Sequence, residues 1–193
     1  MKYFLTTILA FCLGVPIVFA QSGNCKPTIN TEDKFTKEKY VVYGGKMTGG
    51  VFDGSTYISM YVGTRNEALY MQISFEKVIS KPDAATIAKL REESKINMGK
   101  KFFVVLENGE SLQFTTTGDS KYDEKTLFGY SITTNAAYSL TPEDFKKLGA
   151  SAITDYRLEL SGNLSNLQGK VGKGKSKDLL EKFACAVANI KYK

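Results

Sequence analysis

Two neighbouring stretches, YISMYV (57–62) and LYMQISF (69–75), alternate apolar and polar residues with period two. Ile58, Met60 and Val62 share one side of the first. Leu69, Met71, Ile73 and Phe75 share one side of the second. The other sides carry Tyr57, Ser59 and Tyr61, and Tyr70, Gln72 and Ser74. Only an extended strand brings residues i, i+2 and i+4 to one face. The pattern therefore predicts an antiparallel hairpin with an apolar core side and a polar, tyrosine-rich side.

The rest of the chain reads in the same way. TKEKYVVYGGKMT (36–48) is a strand with a bulge or bend at Gly44-Gly45, and GGVFDGS (49–55) is a turn. FFVVL (102–106) is apolar on both faces and predicts a central strand. Asn108-Gly109 then marks a two-residue hairpin turn into SLQFTTT (111–117). GDSKYDEK (118–125) reads as a loop. LFGYSITT (127–134) reads as a strand extending toward Tyr138. ITDYRLEL (153–160) turns Tyr156, Leu158 and Leu160 inward, and 167–171 is a weaker strand. Three helices complete the set. One spans 82–94 with Pro82 at its start. One spans 141–149, with Thr141 as cap, Pro142 at the first position and Gly149 as stop. The last spans 178–190. Strands dominate without alternating regularly with helices. The predicted fold class is α+β, mostly antiparallel β, sandwich-like or a curved sheet, with a C-terminal helix and short helices.

The N-terminus carries a compartment signal. Lys2 precedes an uncharged apolar run, 4–20, that ends in Val18-Phe19-Ala20. This predicts a secretory signal peptide over 1–20. Pro16 interrupts the run, and no later stretch is long and apolar enough to span a bilayer. The mature chain would then be periplasmic or secreted. Removing 20 of the 193 residues leaves 173: a tail over 21–34 and a single β-rich domain over 35–193. Two cysteines remain, Cys25 and Cys185. On a helical projection of 178–190, Leu179, Leu180, Phe183, Val187 and Ile190 form the apolar face. Cys185 lies nearly opposite, beside Asp178, Glu181, Lys182 and Asn189. An exported thiol in that position needs a partner, so a Cys25–Cys185 disulfide is predicted.

Composition removes several chemistries. The chain has no His, so no Ser-His-Asp or Cys-His nucleophile system and no His-based zinc site can be built. The formal charge of +6, or +5 without Lys2, comes mostly from lysines scattered among acids. Nucleic-acid readers cluster their charge and favour Arg, so nucleic acid is not an expected partner. A mild attraction to anionic polymers or lipid surfaces stays compatible with such a surface. No metal-ligand set and no cofactor motif is present. Asp119, Asp123 and Glu124 only loosely suggest a calcium loop, and their spacing fails the EF-hand pattern. Asn163-Leu164-Ser165 is a glycosylation sequon.

Two features remain as candidate sites. Gly169-x-x-x-x-Gly174-Lys175-Ser176 matches the phosphate-loop pattern letter for letter. A working phosphate loop hangs between a buried parallel strand and a helix N-terminus. The preceding SGNLSNLQ (161–168) is polar and the surrounding fold reads antiparallel. What survives is a weak anion site at Lys173, Lys175 and Ser176 near a helix start. The second feature is the Tyr57/Tyr61/Tyr70 face. Aromatic rows on an open sheet stack on sugars or anchor protein partners. A second layer covering the face, with the hydroxyls at its rim, is the sandwich expectation.

The order of segments also resembles a known kind of protein. EDKFTKEKY (32–40) follows an early Cys, and INMGKKFFVVLENGESLQF (96–114) comes next. YSLTPEDFKKLGASAITDYRLEL (138–160) and a closing helix with its Cys complete the series. Together they are similar to small secreted or periplasmic β-rich proteins of unknown function from Gram-negative bacteria. The resemblance implies an exported β-rich domain and transfers no catalytic or ligand residue. The functional expectation is an exported, non-enzymatic domain that binds an extracellular polymer or protein. The alternative is a carboxylate-based hydrolase acting on an extracellular polymer. Nucleotide binding at 169–176 comes last.

Overall fold

A computed structural model describes residues 25–49, 56–126, 130–162 and 166–192. The leader over 1–20, residues 50–55 of the expected turn, the 127–129 start of the expected strand and the sequon at 163–165 lie outside the described residues. The fold is α+β, mostly antiparallel, as the alternation predicts. A curled six-stranded sheet has the order β1-β2-β3-β4-β8-β7, and a four-stranded sheet the order β10-β9-β5-β6.

The predicted hairpin is the centre of the first sheet. β3 (Thr56–Arg65) and β4 (Ala68–Ile79) pair antiparallel, with Met60 opposite Ile73 and Val62 opposite Met71. Their apolar side is buried apart from half-buried Leu69, and their partners β2 (Lys39–Gly49) and β8 (Tyr130–Ser139) add Tyr43, Met47, Ala136 and Tyr138 to it. The bulge in β2 falls between Lys46 and Thr48, after the glycines. Gly44 and Gly45 keep register with Tyr61 and Met60.

Two segments read as irregular are strands. Part of the 21–34 tail forms β1 (Ile29–Glu32) on the β2 edge. The 118–125 loop contains β7 (Lys121–Lys125), which pairs with β8. Both are polar edge strands whose residues are almost all exposed, so neither carries the apolar alternation that marks a strand in sequence.

β5 (Lys101–Leu106) is central in the second sheet, between β6 (Ser111–Thr115) and β9 (Ile153–Leu158). Phe102, Val104 and Leu106 face the core. On the other side the Arg157 guanidinium lies 4.1 Å from the Phe103 ring centre and shields it. The Asn108-Gly109 turn joins β5 to β6, with Gly109 at φ 85°. A bridge from Thr116 to Tyr138 connects the two sheets, and β10 (Leu167–Lys170) closes the far edge.

α1 (Ala84–Glu93) begins after Asp83, whose carboxylate accepts from the Thr86 amide at 2.7 Å, so Pro82 precedes the cap. α2 (Pro142–Ala150) has the expected Thr141 cap and Pro142 start, but Gly149 lies inside it. A Cβ there would sit 2.7 Å from Val187 Cγ2 and 3.2 Å from the Phe183 carbonyl. The glycine is a contact point between helices, not a stop. α3 (Lys173–Asn189) starts five residues before the expected 178 and buries Ser176, Leu179, Phe183 and Ala186. Its apolar face is rotated from the expected one, leaving Leu180 and Val187 half-buried.

The predicted disulfide is present. Cys25 and Cys185 are bonded across 160 residues of sequence, with Cα atoms 5.4 Å apart. The side of α3 carrying Asp178, Lys182 and Cys185 does not face solvent alone. It runs along β2, where a Cβ on Gly45 would lie 3.1 Å from Lys182 Nζ. The bond therefore ties the segment leading into β1 onto the helix that fills the core.

Closing a loop of this length corresponds to about 3–5 kcal/mol in the chain-entropy picture. Cys185→Ser should lower the melting temperature by about 10 °C under oxidising conditions and change nothing in reductant. Gly149→Ala should cost about 1–3 kcal/mol in a denaturant titration, despite alanine's better helix propensity. A neutral or stabilising result would show that α2 and α3 can part without penalty.

Candidate functional site

The three singled-out tyrosines lie on the face of the six-stranded sheet opposite the core. α3 and the second sheet pack through the apolar side, with Tyr43, Met47, Met60 and Phe75 meeting Phe102, Leu179 and Phe183 in one cluster. That arrangement leaves Tyr57, Tyr61 and Tyr70 on the outer side, each half-buried. The second layer expected over the tyrosines lies instead on the apolar face, because the buried side chains of α3 and the second sheet meet Met60, Ile73 and Phe75 there.

Pleat and register explain their partial burial. Tyr61 is the cross-strand partner of Gly44, and Tyr70 that of Gly63. A glycine opposite an aromatic residue leaves room for the ring to lie flat on the sheet. At Gly63 the backbone is already close, since a Cβ would lie 2.1 Å from the Val41 carbonyl oxygen. Tyr57 has a different neighbour. Lys46 Nζ sits 4.5 Å from its ring centre. The three rings follow a line along the hairpin, because Gly63, the partner of Tyr70, is two residues beyond Tyr61 on β3.

Polar groups flank this line. Asn135 Oδ1 accepts from Gln72 Nε2 at 3.0 Å and from the Ser74 hydroxyl. Gln72 pairs with Tyr61 across the hairpin, and Glu76 pairs with Tyr57. The face thus offers aromatic rings, an amide and hydroxyl cluster, and charges of both signs. Near the Tyr70 end, Arg65 donates to Glu38 Oε1 at 2.6 Å and lies over the Tyr40 ring, while the Tyr40 hydroxyl donates to Glu38 Oε2. Burial, with a smaller contribution from Tyr40, pushes the Tyr70 phenol up to about 12.

The phosphate-loop letters fold into something else. Gly169 and Lys170 belong to β10, paired antiparallel with β9. Lys173 to Ser176 are already the first turn of α3. Only Val171 and Gly172 remain between strand and helix, so no loop is left to wrap a phosphate. The Ser176 hydroxyl is buried and donates to the Ile153 carbonyl at 2.6 Å. Lys173 and Ser176, together with Lys170 and Lys177, line a cleft of 530 Å³ that also holds Glu107 and Asp155. Lys175 is exposed and outside that lining. Lys173 and Ser176 therefore share a cleft of three lysines and two acids, with the hydroxyl committed to the Ile153 carbonyl, while Lys175 stands on the open surface.

Several acidic residues are held by amide or basic partners. Asp119 accepts from the Met98 amide, while Glu124 takes a bidentate contact from Arg91, at 2.6 and 2.7 Å. Glu110 and Glu143 both contact Lys147 Nζ, at 2.6 and 2.7 Å. The lysine holds the Glu143 carboxyl below its ordinary range, the opposite of what a general acid requires. Among the described residues there is no cluster of three or more Cys, Asp or Glu suited to a metal ion, and no helix long and apolar enough to cross a membrane. Comparison with protein-family models, with curated proteins and with solved structures returns no match.

The Tyr70 environment has a pH consequence. A phenol raised in the folded state above the ordinary value of about 10 contributes fully below that pH and loses its contribution as pH rises toward about 12. The parent protein should lose stability across that window in a urea titration. Tyr70→Phe should lose less, and an identical slope would show that the phenol is solvated.

Proposed function

We propose that this chain is an exported, non-enzymatic binding domain of the kind its segment order resembles, and that its tyrosine face takes an extracellular polysaccharide. One observation carries the reading: three half-buried rings in line on the outer side of the sheet, flanked by the Asn135–Gln72–Ser74 cluster. Sugar rings present apolar C–H faces that stack on aromatic side chains, and hydroxyls that exchange hydrogen bonds with amides. The sheet holds the rings in place before binding, which lowers the ordering cost. Export is supported by the leader-like N-terminus and by the disulfide, a bond that persists in oxidising compartments.

Affinity electrophoresis through gels containing a panel of neutral and charged polysaccharides tests this. At least one polymer should retard the protein, and alanine at Tyr57, Tyr61 or Tyr70 should weaken that retardation about fivefold to tenfold each. No retardation by any polymer, or retardation untouched by all three substitutions, overturns the reading.

A further inference from the structure

The loop joining β1 to β2 presents an aromatic ring that the fold does not use. Phe35 is 95% exposed, more than the other exposed large apolar side chains among the described residues. Among the described residues, five phenylalanines are buried to 2% exposure or less. Phe35 packs on nothing in either core cluster. A turn at this place needs no aromatic residue, so folding does not account for it.

The loop is nonetheless built to hold the ring out. Asp33 Oδ1 accepts from the amides of Phe35 at 2.8 Å and Thr36 at 2.7 Å. The Asp33 amide donates to the Glu38 carbonyl at 2.8 Å, and the Lys37 amide to the Asp33 carbonyl at 2.9 Å, with Lys37 at φ 59°. These bonds fix the tip, so an encounter at Phe35 orders little new chain.

Charge around the tip is sorted. Each nearby acid is engaged within the fold: Asp33 by the two amides, Glu38 by Arg65 and Tyr40, Glu32 by Lys39 at 3.7 Å. Lys34 and Lys37, on either side of Phe35, are exposed and have no acidic partner among the described residues. Phe is common where proteins meet but Lys is depleted there, so the two flanking lysines disfavour a protein partner. It fits an anionic bilayer, where an aromatic ring enters the interfacial layer and ammonium groups meet lipid phosphates.

We infer that the 33–38 loop is a membrane-surface anchor, in which Phe35 inserts into the interface of an anionic bilayer and Lys34 and Lys37 contact its phosphates. With one ring and two charges the attachment is weak and reversible, suited to holding the domain near a membrane while its tyrosine face stays free.

The chain contains no Trp, so Phe35→Trp makes a single-site fluorescent reporter. The test uses protein purified from the periplasm of an expression host, mixed with vesicles of phosphatidylglycerol and phosphatidylcholine, or of phosphatidylcholine alone. With the anionic vesicles the Trp emission should shift to the blue, and the shift should shrink as salt is raised. In sedimentation, Phe35→Ala should weaken binding about tenfold, and each of Lys34→Glu and Lys37→Glu by about fivefold or more. The Tyr57, Tyr61 and Tyr70 alanine variants should bind vesicles like the parent, which separates this test from the polysaccharide reading. The exposed position of Phe35 means that Phe35→Ala should melt like the parent, so lost binding cannot be ascribed to misfolding. No blue shift with anionic vesicles, or equal sedimentation of parent and Phe35→Ala, overturns the proposal. So does capture by a protein pocket without vesicle binding.

Discussion

The structure depends on one packing event: the burial of the Leu179–Phe183–Ala186 stripe of α3 between the two sheets. Each of these side chains is fully buried, and each lies in the cluster that also contains Met60, Phe75, Phe102 and Tyr156. The sheets are joined on one side by the Thr116–Tyr138 bridge. On the other side the helix fills the space between β9 and β2. Without the helix, the two sheets would expose their apolar faces, and hydrophobic burial would have nothing to close on. The Gly149–Val187 contact and the Cys25–Cys185 bond both act on this helix, from opposite sides.

That arrangement also decides which surfaces are available. A sheet has two faces and the core takes one. Because α3 and the second sheet claim the side of Met60 and Ile73, the line of Tyr57, Tyr61 and Tyr70 becomes the outer surface of the curled sheet. The disulfide has a second effect. It anchors the segment that leads into β1, and β1 in turn positions the loop that carries Phe35. The two surfaces proposed to bind are thus set by the same helix, one through the sheet it covers and one through the strand it tethers.

Legibility in the sequence followed how local the cause was. The β3–β4 hairpin, the Asn108-Gly109 turn and the Thr141-Pro142 helix start are written in neighbouring residues, and all three form as expected. The disulfide pairs as expected, although Cys185 packs against the core cluster and not on the solvent face its helical projection predicts. Where the cause was distant, reading failed. β1 and β7 are strands only because a long neighbour offers them an unpaired edge. Gly149 reads as a helix stop, yet it exists to let Val187 approach. The phosphate-loop letters at 169–176 lost their loop once β10 and α3 claimed residues from both ends.

The amino-acid sequence by itself determined the strand periods, the turn chemistry, the helix caps and the absence of histidine chemistry. These depend on backbone sterics and on residues a few positions apart. Only the tertiary structure decided that the tyrosine face is the outer one, that Ser176 is buried against Ile153, and that Phe35 stands exposed at a hydrogen-bonded tip between two lysines with no acidic partner among the described residues. Period-two alternation defines two faces but not which of them a distant helix will cover. That choice is made by long-range apolar burial, which no local pattern records.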